Sequence, residues 1–345
     1  MSTLANDTTA PARRVATPAG FVLALTSAVA FGLSGALARP LLDAGWTPGS
    51  VVLVRIAVGA LVVVPFGVRA LQGRWSLVRR NARLIALYGV LAVAGAQFCY
   101  FAAVQHMEVG PALLIEYTAP AAVVVWFWLR HGERPGPVTL GGAAVCALGL
   151  VLVLDLFSGA GLSAVGVLWA LGAMVGCATY FIVNGDDSTG LPPLSLAAGG
   201  LVVGAAALGL LGLVGLMPVR AETADVSYAG TTVAWWVPLV LLGLVTAAVA
   251  YVTGIAASRV LGSRLASFVA LSEVVAGVLW AWLLLDQLPA LVQLLGGALI
   301  LLGVLGVKLG ERGMPVGDAV PEPLPAPLPD PTATACPAAS RRPRA

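Results

Sequence analysis

Apolar and polar positions fall in long blocks along this chain, not at the period of a strand or of a surface helix. Ten apolar blocks, each near the roughly 20 residues that a helix needs to cross a bilayer, are separated by connections rich in Gly, Pro, Asp and Arg. They predict spans over about Gly20–Ala38, Gly49–Phe66, Leu84–Val104, Pro111–Leu129, Pro137–Leu154, Ser163–Val183, Ser195–Leu216, Val233–Ala257, Leu265–Leu285 and Ala290–Val307. The longest connection is expected between spans 2 and 3, where Arg69, Arg74, Arg79, Arg80 and Arg83 gather. Residues 1–18 are small and polar, and residues 313–345 carry repeated prolines from Pro315 to Pro331. Neither segment can bury a core, and both are expected to be disordered tails.

The blocks repeat. Gly20-Phe-Val-Leu-Ala-Leu25 matches Gly166-Val-Leu-Trp-Ala-Leu171, and Gly141-Gly142-Ala143 matches Gly296-Gly297-Ala298. The exit from span 4, His131-Gly-Glu-Arg-Pro135, lines up with the exit from span 9, Leu285-Asp-Gln-Leu-Pro289. Each unit holds five spans. An odd number inverts the second unit relative to the first, which is the architecture of secondary transporters, with the substrate site between the repeats near the midplane. The expected fold is therefore an all-α integral membrane protein of ten transmembrane helices, built as two inverted five-helix repeats over residues 19–155 and 163–309.

Arginine placement orients it. With a cytoplasmic N-terminus, the inner segments carry Arg13, Arg14, the five-arginine connection, Arg130, Arg134, Arg259, Arg264, Lys308 and Arg312, while the outer ones carry only Arg39 and Arg220. That bias obeys the positive-inside rule. A multi-pass protein of the cell inner (plasma) membrane with both termini cytoplasmic is expected.

Composition agrees. Of 345 residues, 59% are hydrophobic and 10% charged, against about a quarter charged in soluble proteins. Cys99, Cys146 and Cys177 fall in apolar blocks and Cys336 in the tail, with no CxxC or Cys/His spacing. The two histidines, His106 and His131, sit at block ends. No metal, cofactor, nucleophilic triad or phosphate-binding loop is indicated, so an enzyme is not expected. The arginines are better explained by topology than by nucleic acid. Expected partners are a small-molecule substrate and the lipid bilayer; a homodimer is left open.

Charges inside apolar blocks are the candidates for chemistry, because each costs about 2.5–3.5 kcal/mol to insert and marks a functional site by default. Glu116 is the first. It follows Gly110-Pro111 and precedes Pro120, whose missing donor should kink the helix near the carboxylate and open its backbone to a cavity. Glu273, in Leu271-Ser272-Glu273-Val274, is the second acid. At the repeat offset it lies opposite Ala119, while Glu116 lies opposite Ala270, so the acids are not strict symmetry mates and are free to do different jobs. Arg55, in span 2, is expected to pair with a buried carboxylate, Glu116 first, or with a substrate carboxylate. Gln97, Tyr100, Tyr117, Tyr180, Asn184 and Tyr251 are candidates to line the cavity, with interhelical hydrogen bonding or interfacial placement as the plainer alternative for each.

These features resemble the EamA-like branch of the drug/metabolite transporter superfamily. The resemblance covers residues 20–309 and rests on Arg55, the run Ala112-Leu-Leu-Ile-Glu-Tyr-Thr-Ala-Pro120, the Gly132-Glu133-Arg134 exit, and Leu271-Ser-Glu-Val274. The Glu-Tyr-Thr-Ala-Pro run is also similar to the threonine/homoserine exporter subgroup. The resemblance implies an efflux permease for small metabolites, often amino acids, driven by proton exchange or by the substrate gradient. It also implies that spans 1–4 and 6–9 surround a cavity while 5 and 10 pack outside. Three departures stand out. Phe31 lies where the family often has a tryptophan, Val274 where it has a proline, and Leu285-Asp286-Gln287 where it has Leu-Gly-Glu.

Overall fold

In the computed structural model, residues 18–132, 135–153, 163–185, 187–261, 266 and 269–310 are described; both expected tails lie outside them except for Pro18, which opens the first helix. The chain forms α1 (Pro18–Asp43), α2 (Pro48–Leu71), α3 (Trp75–Arg80), α4 (Ala82–His106), α5 (Val109–Glu116), α6 (Ala119–His131), α7 (Pro137–Val153), α8 (Ala164–Gly185) and α9 (Pro193–Leu213). A hairpin of β1 (Val226–Tyr228) and β2 (Thr231–Val233) follows, then α10 (Trp236–Leu261), α11 (Ser272–Leu285) and α12 (Leu291–Gly310). Among the described residues, eight helical stretches are long and apolar enough to cross a membrane, α5 and the start of α6 counting as one. α7 and α11 hold 17 and 14 residues within the described part of expected spans 5 and 9. Large apolar side chains stand exposed around the bundle, among them Leu61, Leu129, Leu168 and Leu213. That surface fits hydrocarbon rather than water. The protein is a multi-pass membrane protein.

The packing repeats between halves. α1 lies against α11 and α10, and its counterpart α8 lies against α5, α6 and α4. α2 packs on its counterpart α9, and α7 on its counterpart α12. This exchange of partners is what a two-fold relation between halves produces. Glycines, Gly142 of the repeated Gly-Gly motif and Gly303 further along α12, explain the last pair. A Cβ added to Gly142 would come within 2.5 Å of the Val307 nitrogen, and one on Gly303 within 2.5 Å of the Cys146 nitrogen. Small residues let these two backbones touch, and van der Waals contact then holds them in lipid.

Two helices deviate from α geometry at matching places of the repeat. Tyr88–Gly95 in α4 and Leu244–Val249 in α10 are π-helical. Nothing in their apolar composition marks them in the sequence.

The connections differ from expectation. α2 runs on to Leu71 and takes in Arg69, while α3 takes up Arg79 and Arg80 and α4 takes up Arg83. The longer connection instead joins α9 to α10 and carries the hairpin, an exception to an all-α fold. Its turn, Ala229-Gly230, has positive φ at both residues (45° and 79°), the geometry that matches the twist of a two-residue hairpin. The hairpin is moored on one end of the bundle. The Tyr228 hydroxyl donates to the Leu37 carbonyl at 2.7 Å, the Trp46 indole N–H donates to the Glu222 carbonyl at 2.7 Å, and the Ala229 N–H donates to the Leu284 carbonyl at 3.0 Å.

Candidate functional site

The expected single helix of span 4 is two helices. α5 ends at Glu116, and Tyr117 and Thr118 turn before α6 starts with Pro120 in its first turn. Proline fits the opening of a helix, where no N–H is required, and disfavours α geometry in the residue before it. The Thr118 hydroxyl donates to the Ile115 carbonyl at 2.7 Å and satisfies one of the freed acceptors. Pro111 is buried near the start of α5. The second half breaks at the matching place: Ala270 and Leu271 form a turn before α11, although no proline stands there. The two acids thus flank equivalent breaks from opposite sides. Glu116 closes α5, where the helix dipole repels a carboxylate; Glu273 lies in the first turn of α11, where the dipole attracts one. This gives a physical basis for the asymmetry that the repeat offset suggested.

Arg55 is 3% exposed. Its Nη2 donates to the Thr246 carbonyl at 3.0 Å, and its guanidinium lies 5.4 Å from the centre of the Phe101 ring. Thr246 belongs to the π-helical segment of α10, where the altered hydrogen-bond pattern presents a backbone carbonyl sideways. The expected direct pairing with Glu116 is not formed. Glu116 and Glu273 lie within electrostatic reach of Arg55 but neither makes ion-pair contact with it; a backbone carbonyl and an aromatic face hold the guanidinium.

The other candidates sort themselves by position. Tyr117 is buried and its hydroxyl faces the Glu273 carboxylate. Tyr251 is buried beside the Gln97 amide and within the field of Arg55, with the Phe31 ring set edge-on at 5.1 Å. Phe31 is thus an aromatic wall where the family often has tryptophan. Tyr180 is half-buried with its ring 6.0 Å from that of Tyr88. Tyr100 is 4% exposed and its hydroxyl abuts Gly35 of α1. Ser272 stands apart: its hydroxyl donates to the Val269 carbonyl at 2.6 Å and serves the break before α11. Sequence reasoning missed Tyr88, Phe101 and Thr246, and read Cys99 and Cys177 only as small residues of apolar blocks. The Asn184 amide donates to the Tyr88 hydroxyl at 3.4 Å, and both thiols feel the field of Glu116. The Asn in a span was among the sequence candidates; a backbone carbonyl gave no such signal.

Three polar atoms in this cluster are buried without a hydrogen-bond partner: Arg55 Nε, the Tyr100 hydroxyl and Gln97 Oε1. Each unmade buried bond costs about 1–3 kcal/mol. Among the described residues, no group of three or more His, Cys, Asp or Glu side chains is set to hold a metal. A separate cavity of about 410 Å³ opens at the hairpin end, lined in part by Arg39, Asp43, Asp225 and Asp286. Arg39 is engaged there with Asp43 and with the Val104 and Met107 carbonyls.

A bundle of repeated halves, with broken helices and buried charges meeting between them, defines a membrane transporter architecture. The comparisons say which. The EamA-like transporter family model matches residues 18–155 and again 164–309, and the chain belongs to that family. It is 23% identical over 299 residues to the uncharacterized inner membrane transporter YicL of Salmonella typhimurium, covering 85% of this chain and 96% of that protein. It is 28% identical over 279 residues to an uncharacterized transporter of Archaeoglobus fulgidus, covering 81% and 92%. The threonine/homoserine exporter RhtA of Salmonella typhimurium is 29% identical over 186 residues, covering 52% of this chain and 58% of RhtA. A solved crystal structure shares the fold at a TM-score of 0.56 and 20% identity, covering 85% of this chain and 98% of that one.

Proposed function

We propose that this protein is an inner-membrane exporter of small metabolites, amino acids or their analogues first, working by alternating access with proton exchange. The observation that carries the reading is that half-buried Glu116 and Glu273 lie within electrostatic reach of buried Arg55, which is bonded across the two halves to Thr246. Half-buried carboxylates that flank helix breaks are suited to take up and release protons, and the interface between repeats is where secondary transporters bind cargo. Amino acids come from the name of one relative, RhtA. In this reading all ten apolar segments span the membrane, both termini are cytoplasmic, and the hairpin end faces outward, as the arginine bias requires. α7 and α12, which pack chiefly on each other, lie outside the cavity.

The test is uptake of labelled amino acids, threonine and homoserine included, into inside-out vesicles. It is run with and without a protonophore, for the wild type and for Glu116→Gln. Uptake that collapses with the protonophore and in the variant supports the reading. Amino-acid uptake that survives both means a facilitator without proton coupling. No uptake of any amino acid moves the cargo to another class of metabolite.

A further inference from the structure

The end of the bundle away from the hairpin carries a charged surface that the central cluster does not use. α2 starts beside the hairpin connection, where the Thr47 N–H donates to the Arg220 carbonyl, and its 24 residues carry the chain to the other end. Arg69, Arg74, Arg79, Arg80 and Arg83 are all exposed there, and no Asp or Glu stands in the chain between Asp43 and Glu108. Among the described residues none of the five forms an ion pair. The positive-inside rule asks only that such charges lie at one end; the structure adds how they are held. Gln72 and Gly73, at φ of 50° and 78°, reverse the chain after α2. Leu77 and Val78 of α3 turn inward and pack on the core. Trp75, 53% exposed, and Arg79, one turn further, share the outer face. Asn81 fixes the end of α3, donating to the Leu77 carbonyl at 2.9 Å and, across the halves, to the Thr189 carbonyl at 3.3 Å. The neighbours set the level of this frame. Arg69 follows the exposed Phe66 and Val68, and Arg83 comes one turn before the exposed Leu87. The arginines therefore stand at the rim of the apolar belt, where headgroups begin and where Trp is the residue of choice.

We propose that this surface is a docking site for anionic phospholipid headgroups, with phosphates taken by Arg74, Arg79 and Arg80 and the Trp75 ring set among them. A guanidinium offers a planar fork that binds a phosphate through two parallel hydrogen bonds. Basic residues gathered at the end of a membrane helix each add about fivefold to the affinity for an anionic surface. A zwitterionic headgroup offers the same phosphate but cancels its charge, and so leaves the patch uncompensated. Free inorganic phosphate matches the arginines but gives the Trp75 ring and the apolar rim nothing to rest on. Lipid satisfies all three. The site is independent of the cargo and of the coupling ion. It also has a place in the mechanics of the fold. α3 links α2, which carries Arg55, to α4, which carries Gln97 and Tyr100, so a lipid bound there braces the joint between two helices of the central cluster.

The experiment is displacement of a tail-labelled fluorescent phosphatidylglycerol from the purified full-length protein in a non-ionic detergent. The competitors are unlabelled phosphatidylglycerol, phosphatidylcholine with the same chains, and inorganic phosphate. Phosphatidylglycerol should displace the probe at a concentration about tenfold or more below that of phosphatidylcholine, and inorganic phosphate at the same concentration should not displace it. The triple variant Arg74→Gln, Arg79→Gln and Arg80→Gln should weaken phosphatidylglycerol binding about a hundredfold, and Arg79→Gln alone about fivefold. Both variants keep Arg69 and Arg83, and their melting temperatures report that they are folded. Arg220→Gln, at the hairpin end, should leave the affinity unchanged. Failure of the probe to bind overturns the proposal, as does equal displacement by phosphatidylcholine. Displacement by inorganic phosphate as strong as by phosphatidylglycerol overturns it in favour of a free-phosphate site. A folded triple variant with wild-type affinity also overturns it, and so does a loss in Arg220→Gln as large as in Arg79→Gln. The wild-type competition decides the question even where a variant does not fold.

Discussion

Arg55 of the first half donates a 3.0 Å hydrogen bond to the carbonyl oxygen of Thr246 in the second. The bond ties α2 to α10 across the boundary between the halves and fixes the one buried cation of the cluster against a π-helical turn. A lysine keeps the charge but not the planar fork or the stacking on Phe101. Arg55→Lys should lower the initial transport rate by about tenfold or more, the equivalent of one charge-assisted bond. Arg55→Leu should lower it further, because it leaves two acids with no cation. Initial rates in proteoliposomes, normalised to folded protein, check both.

The seam between α7 and α12 makes a sharper pair of predictions. Gly303→Ala must displace the backbone at Cys146 and should cost about 1–3 kcal/mol of stability, as overpacking does. Gly141→Ala, one residue from Gly142, meets nothing within 4 Å and should be neutral, or stabilising by up to about 1 kcal/mol through helix propensity. Thermal unfolding of the detergent-solubilised protein separates them.

α6 and α11 end alike, on Gly132 with φ of 71° and on Asp286 with φ of 55°. Left-handed backbone is strained for a residue with a Cβ, and Asp bears it better than most. Asp286→Gly should therefore raise stability by up to about 1 kcal/mol, and Gly132→Ala should lower it by a similar amount. The same melting measurement reads both.

Tyr228 sits in the hairpin, beyond the apolar helices. Burial pushes its phenol well above the ordinary value, so the folded protein holds the neutral form that donates to Leu37. A folded-state pKa raised above that of the free phenol leaves the contribution to stability intact below about pH 10. It is lost only as pH climbs past that value. Protection of the hairpin from protease should be flat from neutral pH to about pH 9 and weaken above about 10. Tyr228→Phe should weaken it at every pH by about 0.5–1.5 kcal/mol.

Much of the fold was legible because lipid imposes one rule on every segment, and the blocks obey it. The three intramembrane charges were legible for the same reason, since a charge in a span is costly and rare. The break after Glu116 was announced by Pro120, but the matching break at Ala270-Leu271 carries no proline and was not. The hairpin hides because three-residue strands such as Val226-Ser-Tyr228 are too short to show an alternation. The partner of Arg55 was beyond reach, since every residue has a carbonyl and sequence says nothing of which one is turned aside. Carboxylates looked like the natural partner for a buried guanidinium, and the π-helical segment supplied another.

Those π-helical segments also speak about descent. A π bulge is an α-helix with one residue too many, and here each half carries one at the same place in its third span. Two independent insertions at one register are a poor explanation for that. A single extra residue carried by one repeating unit accounts for both segments. One copy has turned its displaced carbonyl, at Thr246, into the mooring of a cation, while the other has kept the bulge and set Tyr88 at its entrance.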